Sequence, residues 1–139
     1  MRIRTIKPEF FKNELLSELP PIVRLLFQGL WCMADCSGRL EDRPRRIRAE
    51  VFPYEDVDCE SGLDALHNAG FIVRYEAGEK HAIQVVNFRK HQRITGRESE
   101  TTSAFPEPSH DEYGKQRGNN GETTGKQPGR QERINGFTD

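Results

Sequence analysis

Residues 43–48 read Arg43-Pro44-Arg45-Arg46-Ile47-Arg48, four guanidiniums within six positions. A guanidinium is planar, forked and permanently charged, so it suits bidentate contact with phosphate or carboxylate. Two further basic clusters flank this run. Arg2, Arg4 and Lys7 begin the chain, and Arg89, Lys90, His91, Arg93 and Arg97 follow its last apolar segment. Lys80 falls in a turn between two such segments. These residue types point to phosphate contacts, and so to nucleic acid, rather than to bond-making chemistry. The formal net charge is −1, so the positive charge is local rather than global.

Catalytic chemistry is poorly supplied. Cys32 and Cys36 lie one helical turn apart, but no histidine has the spacing of a shared metal site, and buried thiols are the expected reading. Cys59 stands alone near a helix start. There is no phosphate-binding glycine loop, no GxGxxG and no paired-carboxylate signature. We expect no enzyme, no catalytic residue, no metal and no cofactor. Three cysteines without a secretory segment ahead of them suggest a reducing cytoplasm rather than a disulfide framework. No apolar run is long enough to suggest a membrane partner.

The elements that would carry the arginines follow from punctuation and period. Pro20 and Pro21 open a helix in which Ile22, Leu25, Leu26, Gly29, Leu30 and Met33 form one apolar stripe. Val23, Phe27, Trp31 and Ala34 form a second beside it. So little polar surface remains that Phe27 and Trp31 are expected to serve protein interaction, with a homodimer as the natural outcome. The alternative cover is the N-terminal segment with Phe10, Phe11, Leu15 and Leu16. Gly38 stops this helix, and Arg39-Leu40-Glu41 suits a short strand. Pro44 starts a second helix and Pro53 ends it, with Ile47 and Val51 on one side and the arginines on the other. Charge runs commonly form solvated faces, but Glu50 is the only acid on this helix. A third helix runs from an Asp58 N-cap to Ala69, with Gly70 as terminator. Leu63, Leu66 and Ala69 face inward, while Glu60, Asp64, His67 and Asn68 face out. Strands at 71–75 and 82–88 then form a hairpin around Ala77-Gly78-Glu79-Lys80.

This order predicts an α+β, winged helix–turn–helix domain of three helices and a β-hairpin wing over residues 1–97, with an N-terminal arm. Residues 98–139 hold few apolar side chains and six of the twelve glycines. They predict a low-complexity, disordered C-terminal tail. The charge divides accordingly: 16 Lys/Arg against 14 Asp/Glu over residues 1–97, and 5 against 8 over residues 98–139.

The opening RIRTIKPEFF, the helix RLLFQGLWCMAD followed by GRL, AEVFP, GFIVRY and NFRKHQRI before RES resemble a family of small phage and prophage proteins. These are described as replication-initiation or replisome-organiser-like winged-helix proteins, and the resemblance spans Arg2 to Ser99. It implies a phage-encoded DNA-binding protein acting in replication inside a bacterial host cell. Longer relatives carry a folded C-terminal region in place of this low-complexity tail. The expected DNA-contact residues are Arg2, Arg4, Arg43, Arg45, Arg46, Arg48, Lys80, Arg89, Lys90, His91 and Arg93. They would hold double- or single-stranded DNA mainly through its phosphates. The acids Glu60 and Asp64 disfavour base reading by the third helix, and with it a transcriptional regulator. A protein-binding module that occupies a host replication or defence complex is the other alternative.

Overall fold

The computed structural model describes residues 1–118. They form a mixed α+β fold: α1 (Glu14–Ser17), α2 (Pro21–Met33), β1 (Arg39–Glu41), α3 (Pro44–Val51), α4 (Cys59–Asn68), β2 (Ile72–Ala77), β3 (Lys80–Val85), α5 (Phe88–His91) and α6 (His110–Gly118). The three strands make one antiparallel sheet in the order β1-β3-β2. Ile83 of β3 pairs with Leu40 on one side and Arg74 on the other. No helix among the described residues is long and apolar enough to cross a membrane.

The helix boundaries have local causes. The Asp58 side chain accepts the Ser61 N–H at the start of α4, and Gly70, at φ +89°, ends the turn that follows it. Both are as the sequence predicts. Pro44 occupies the first turn of α3, where its missing N–H costs nothing. The helix α2 crosses α3 and α4 closely because two glycines remove side chains at the crossings. A Cβ on Gly29 would come within 2.6 Å of the Val51 methyls, and one on Gly62 within 2.8 Å of Leu26.

The core is built on α2, but on a different face from the first predicted stripe. Val23, Leu26, Phe27, Leu30 and Trp31 are buried, whereas Ile22 and Leu25 are exposed. Phe27 and Trp31 retain only 2% and 3% of their surface, which overturns their expected role as an interaction surface. The N-terminal segment folds back over them. Phe10 meets the Trp31 ring edge-on at 5.5 Å, and Leu15 and Leu16 join the same cluster. Phe11 points out, at 69% exposed.

The domain boundary expected at residue 97 also moves. Residues 98–113 lie against the domain as a strap. Arg4 grips both Glu98 oxygens at 2.8 and 2.9 Å, and the Ser103 hydroxyl donates to Asp35 at 2.6 Å. Arg39 donates to the Phe105 carbonyl at 2.9 Å, and the Tyr75 hydroxyl to that of Pro106 at 2.7 Å. Phe105 and Tyr113 pack on Val73, Tyr75 and Ala82 of the sheet. The strap is held by polar anchors from the domain with two aromatic contacts, so its low apolar content does not prevent docking. The rest of the predicted tail, residues 119–139, lies outside the described residues.

Candidate nucleic-acid interface

On α3, the buried Ile47 turns one side into the core, which leaves Arg43, Arg45, Arg46 and Arg48 exposed. Their engagement differs. Arg48 donates to the Glu55 carbonyl at 3.0 Å and lies 3.6 Å from Asp56. Arg43 lies 3.9 Å from Glu41, a loose surface pair that contributes little. Arg45 and Arg46 make no ion pair with any described residue. No side chain caps the start of α3, so the N–H groups of its first turn add a positive end to the same surface.

Beside this helix lies a cleft of about 330 Å³. Arg2, Arg43 and Arg46 line it together with the apolar Met33, Leu40, Ile47 and Phe105. Two acids also line it. Asp35 is already engaged: Oδ1 accepts the Ser37 and Arg39 N–H groups, and Oδ2 accepts the Ser103 hydroxyl, while Glu41 lies 3.9 Å from Arg43. Arg39, which also borders the cleft, is fixed by Gln84 at 2.7 Å and the Phe105 carbonyl.

The other expected contact residues divide into available and structural groups. Lys80, Arg89, Lys90 and Arg93 are exposed, with Arg89 Nε donating to the Cys36 carbonyl at 3.2 Å. Arg2 is half-exposed and lies 3.2 Å from Glu98. Arg4 does not reach solvent as a phosphate ligand would. Only 5% of its side chain is exposed, and its guanidinium donates to the Trp31 and Ala34 carbonyls and to Glu98. It also sits 5.0 Å above the Phe88 ring. Its partner Glu98 is held below the usual carboxylate range, chiefly by the Arg4 hydrogen bonds. His91 is buried, and burial with nearby Lys7 and Lys90 pushes its pKa down to about 4. A neutral, buried imidazole is not the phosphate contact the sequence suggests.

The outer face of α4 has the opposite character. Arg74 of β2 binds Asp42 at 2.7 and 2.9 Å, Glu60 at 3.0 and 3.1 Å and Asp64 at 2.8 Å. One guanidinium thus faces three carboxylates. Burial alone would lower the Arg74 pKa, but the hydrogen bonds to Asp42 and Glu60 raise it. Those to Glu60 hold that carboxyl low. His67, expected outside, is buried and accepts the Arg74 backbone N–H on Nδ1 at 3.0 Å. Burial and then Arg74 lower its pKa, so it adds no positive charge near neutrality. These groups border a cleft of about 660 Å³ with Glu76 and with Glu112 of α6. Sequence reasoning missed Arg74 as the hub of this network, since a lone arginine in a strand carries no local signal.

No family model matches this chain, and comparison with curated proteins and with solved structures finds no match.

Proposed function

We propose that this chain is a non-enzymatic, winged-helix-type DNA-binding protein that grips the phosphate backbone with the arginine face of α3. The observation that carries the reading is the pair Arg45 and Arg46, exposed on a rigid helix without an ionic partner among the described residues. Maintaining unneutralised guanidiniums side by side suits a polyanion. The winged-helix part rests on the element order from α2 to β3 and on β1 pairing with the outer side of the hairpin strand β3. In such a fold the helix equivalent to α4 ordinarily enters the major groove. Here the acids Asp42, Glu60, Asp64 and Glu112 border that face, so backbone contact through α3 is favoured over base reading and over a transcriptional regulator. Initiation of phage DNA replication is the process we propose, on the resemblance described above.

The test is equilibrium binding to random-sequence DNA at low salt by Arg45→Ala with Arg46→Ala, against a control, Lys80→Ala with Arg93→Ala. Each pair removes two positive charges, but only the first lies on α3, so the α3 pair should weaken binding at least ten-fold for every sequence and the control pair by less than about three-fold. Equal effects of the two pairs would refute an α3-centred interface.

A second reading, a protein-binding module, draws on one observation. Ile6, Leu25, Gly29, Cys32 and Val51 border an apolar groove of about 280 Å³, and Ile6 and Leu25 are about half exposed. A host-complex partner or a second copy of the chain would seat there, where the nearly buried Trp31 contributes only to the wall, rather than on Phe27.

A further inference from the structure

The cleft beside α3 has an apolar part that phosphate contact leaves unused. Leu40 and Ile47 are fully or nearly buried, and Met33 and Phe105 are half-buried around the same space of about 330 Å³. Three exposed guanidiniums, those of Arg2, Arg43 and Arg46, border it, against the single carboxylate of Glu41 beside Arg43 and the hydrogen-bonded Asp35, so the border keeps a positive excess. The strap supplies its remaining wall through Thr102, Ala104 and Phe105. That wall is fixed by the Ser103–Asp35 and Arg39–Phe105 hydrogen bonds. A pocket with an apolar floor and a cationic border matches a nucleotide: a flat base that gains from leaving water, and phosphates that need counter-charge. A base inside a duplex is stacked on both faces and cannot enter without the cost of extrusion, whereas an unpaired base can.

We infer that this cleft receives one unpaired nucleotide of a single DNA strand, its base against Met33, Leu40 and Phe105 and its flanking phosphates at Arg43 and Arg46. The inference rests on the proposed α3 reading and adds to its phosphate contacts, which any DNA can make, a preference for single strands. The uncapped first turn of α3 adds backbone N–H donors beside the same two arginines.

The test is fluorescence anisotropy at low salt with three probes: a short thymidine oligonucleotide, an abasic strand of equal length, and a duplex. The intact protein should prefer the thymidine strand to the abasic strand by roughly five-fold or more, the scale of one sequestered base. Ala104→Trp, which fills the cleft from an exposed position, should abolish that preference while leaving abasic and duplex binding within about two-fold. Circular dichroism confirms that this variant keeps its fold, and Thr102→Trp provides a second filling variant should Ala104→Trp misfold. Equal binding of the thymidine and abasic strands, or a preference unaffected by a folded filling variant, overturns the inference. In that case, duplex and abasic binding that still falls with Arg45→Ala and Arg46→Ala leaves the α3 reading intact. Absence of binding to all three probes would instead remove the α3 reading itself. Thymidine monophosphate should not displace the strand at micromolar concentration, since it lacks the neighbouring phosphates. Displacement there would assign the cleft to a free nucleotide and overturn the single-strand inference.

Discussion

Replacing Glu98 by alanine should unfasten the strap and destabilise the whole domain. The carboxylate receives Arg4 through two hydrogen bonds of 2.8 and 2.9 Å, and the two side chains are only 5% and 14% exposed. Removing one partner of a buried pair costs about 3–5 kcal/mol, because the remaining charge stays out of water. Two features lower that figure here. Arg4 keeps the Trp31 and Ala34 carbonyls, and Glu98 has some contact with solvent. A loss of roughly 2–3 kcal/mol follows, which for a domain of this size is a fall of about 8–12 °C in Tm. Glu98→Gln, which preserves shape and one acceptor, should fall between. The Glu98 carboxyl is held below its ordinary range, so its stabilisation is present above about pH 4.5 and is lost as the pH falls through the lowered pKa. The melting gap between the native chain and Glu98→Ala should therefore narrow in acid. Calorimetry measures the gap, and hydrogen exchange at residues 101–106 reports whether the strap has lifted. A Tm within about 2 °C of the native chain, with unchanged exchange, would refute the docked strap.

Three further outcomes follow from the same contacts. Burial keeps His91 neutral with a pKa near 4, so the unfolded state binds more protons and stability should fall as pH drops from about 7 towards 4, by on the order of 3 kcal/mol; urea titrations across that range should show this slope flattened in His91→Gln. Trp31 is the only tryptophan and is covered by Phe10, so iodide should quench its emission weakly, and strong quenching would mean the N-terminal segment does not cover it. Gly29→Leu would force Val51 off α2 and should cost about 1–3 kcal/mol, read from the denaturant midpoint; an unchanged midpoint would contradict the close α2–α3 crossing.

Much of the element order was legible because short-range chemistry writes it. Pro44 and Pro53 bracket α3, Asp58 and Gly70 bracket α4, and Gly78, at φ +68°, turns the hairpin. The burial of α2 was less legible. With two adjacent apolar stripes, periodicity alone could not say which residues meet α3 and α4 and which meet the N-terminal segment. Phe10 and Leu16 decide it through long-range packing, which leaves Ile22 and Leu25 outside. The candidate site divides in the same way. Arg45 and Arg46 were visible as charge that Glu50, the one acid on their helix, could not balance. The fate of Arg4 depended on Glu98, 94 residues away, and that of His91 on burial, neither of which has a sequence period. The strap escaped composition because its anchors belong to Asp35, Arg39 and Tyr75 of the domain rather than to itself.

The salt dependence of duplex binding tests the central proposal most directly. Arg48 is engaged by Glu55 and Asp56, so Arg43, Arg45 and Arg46 remain to neutralise about three phosphates. At about −0.9 per phosphate, log K against log salt should fall with a slope near −3, and Arg45→Ala with Arg46→Ala should bring it to about −1. A slope unchanged by the double substitution would contradict an interface centred on α3.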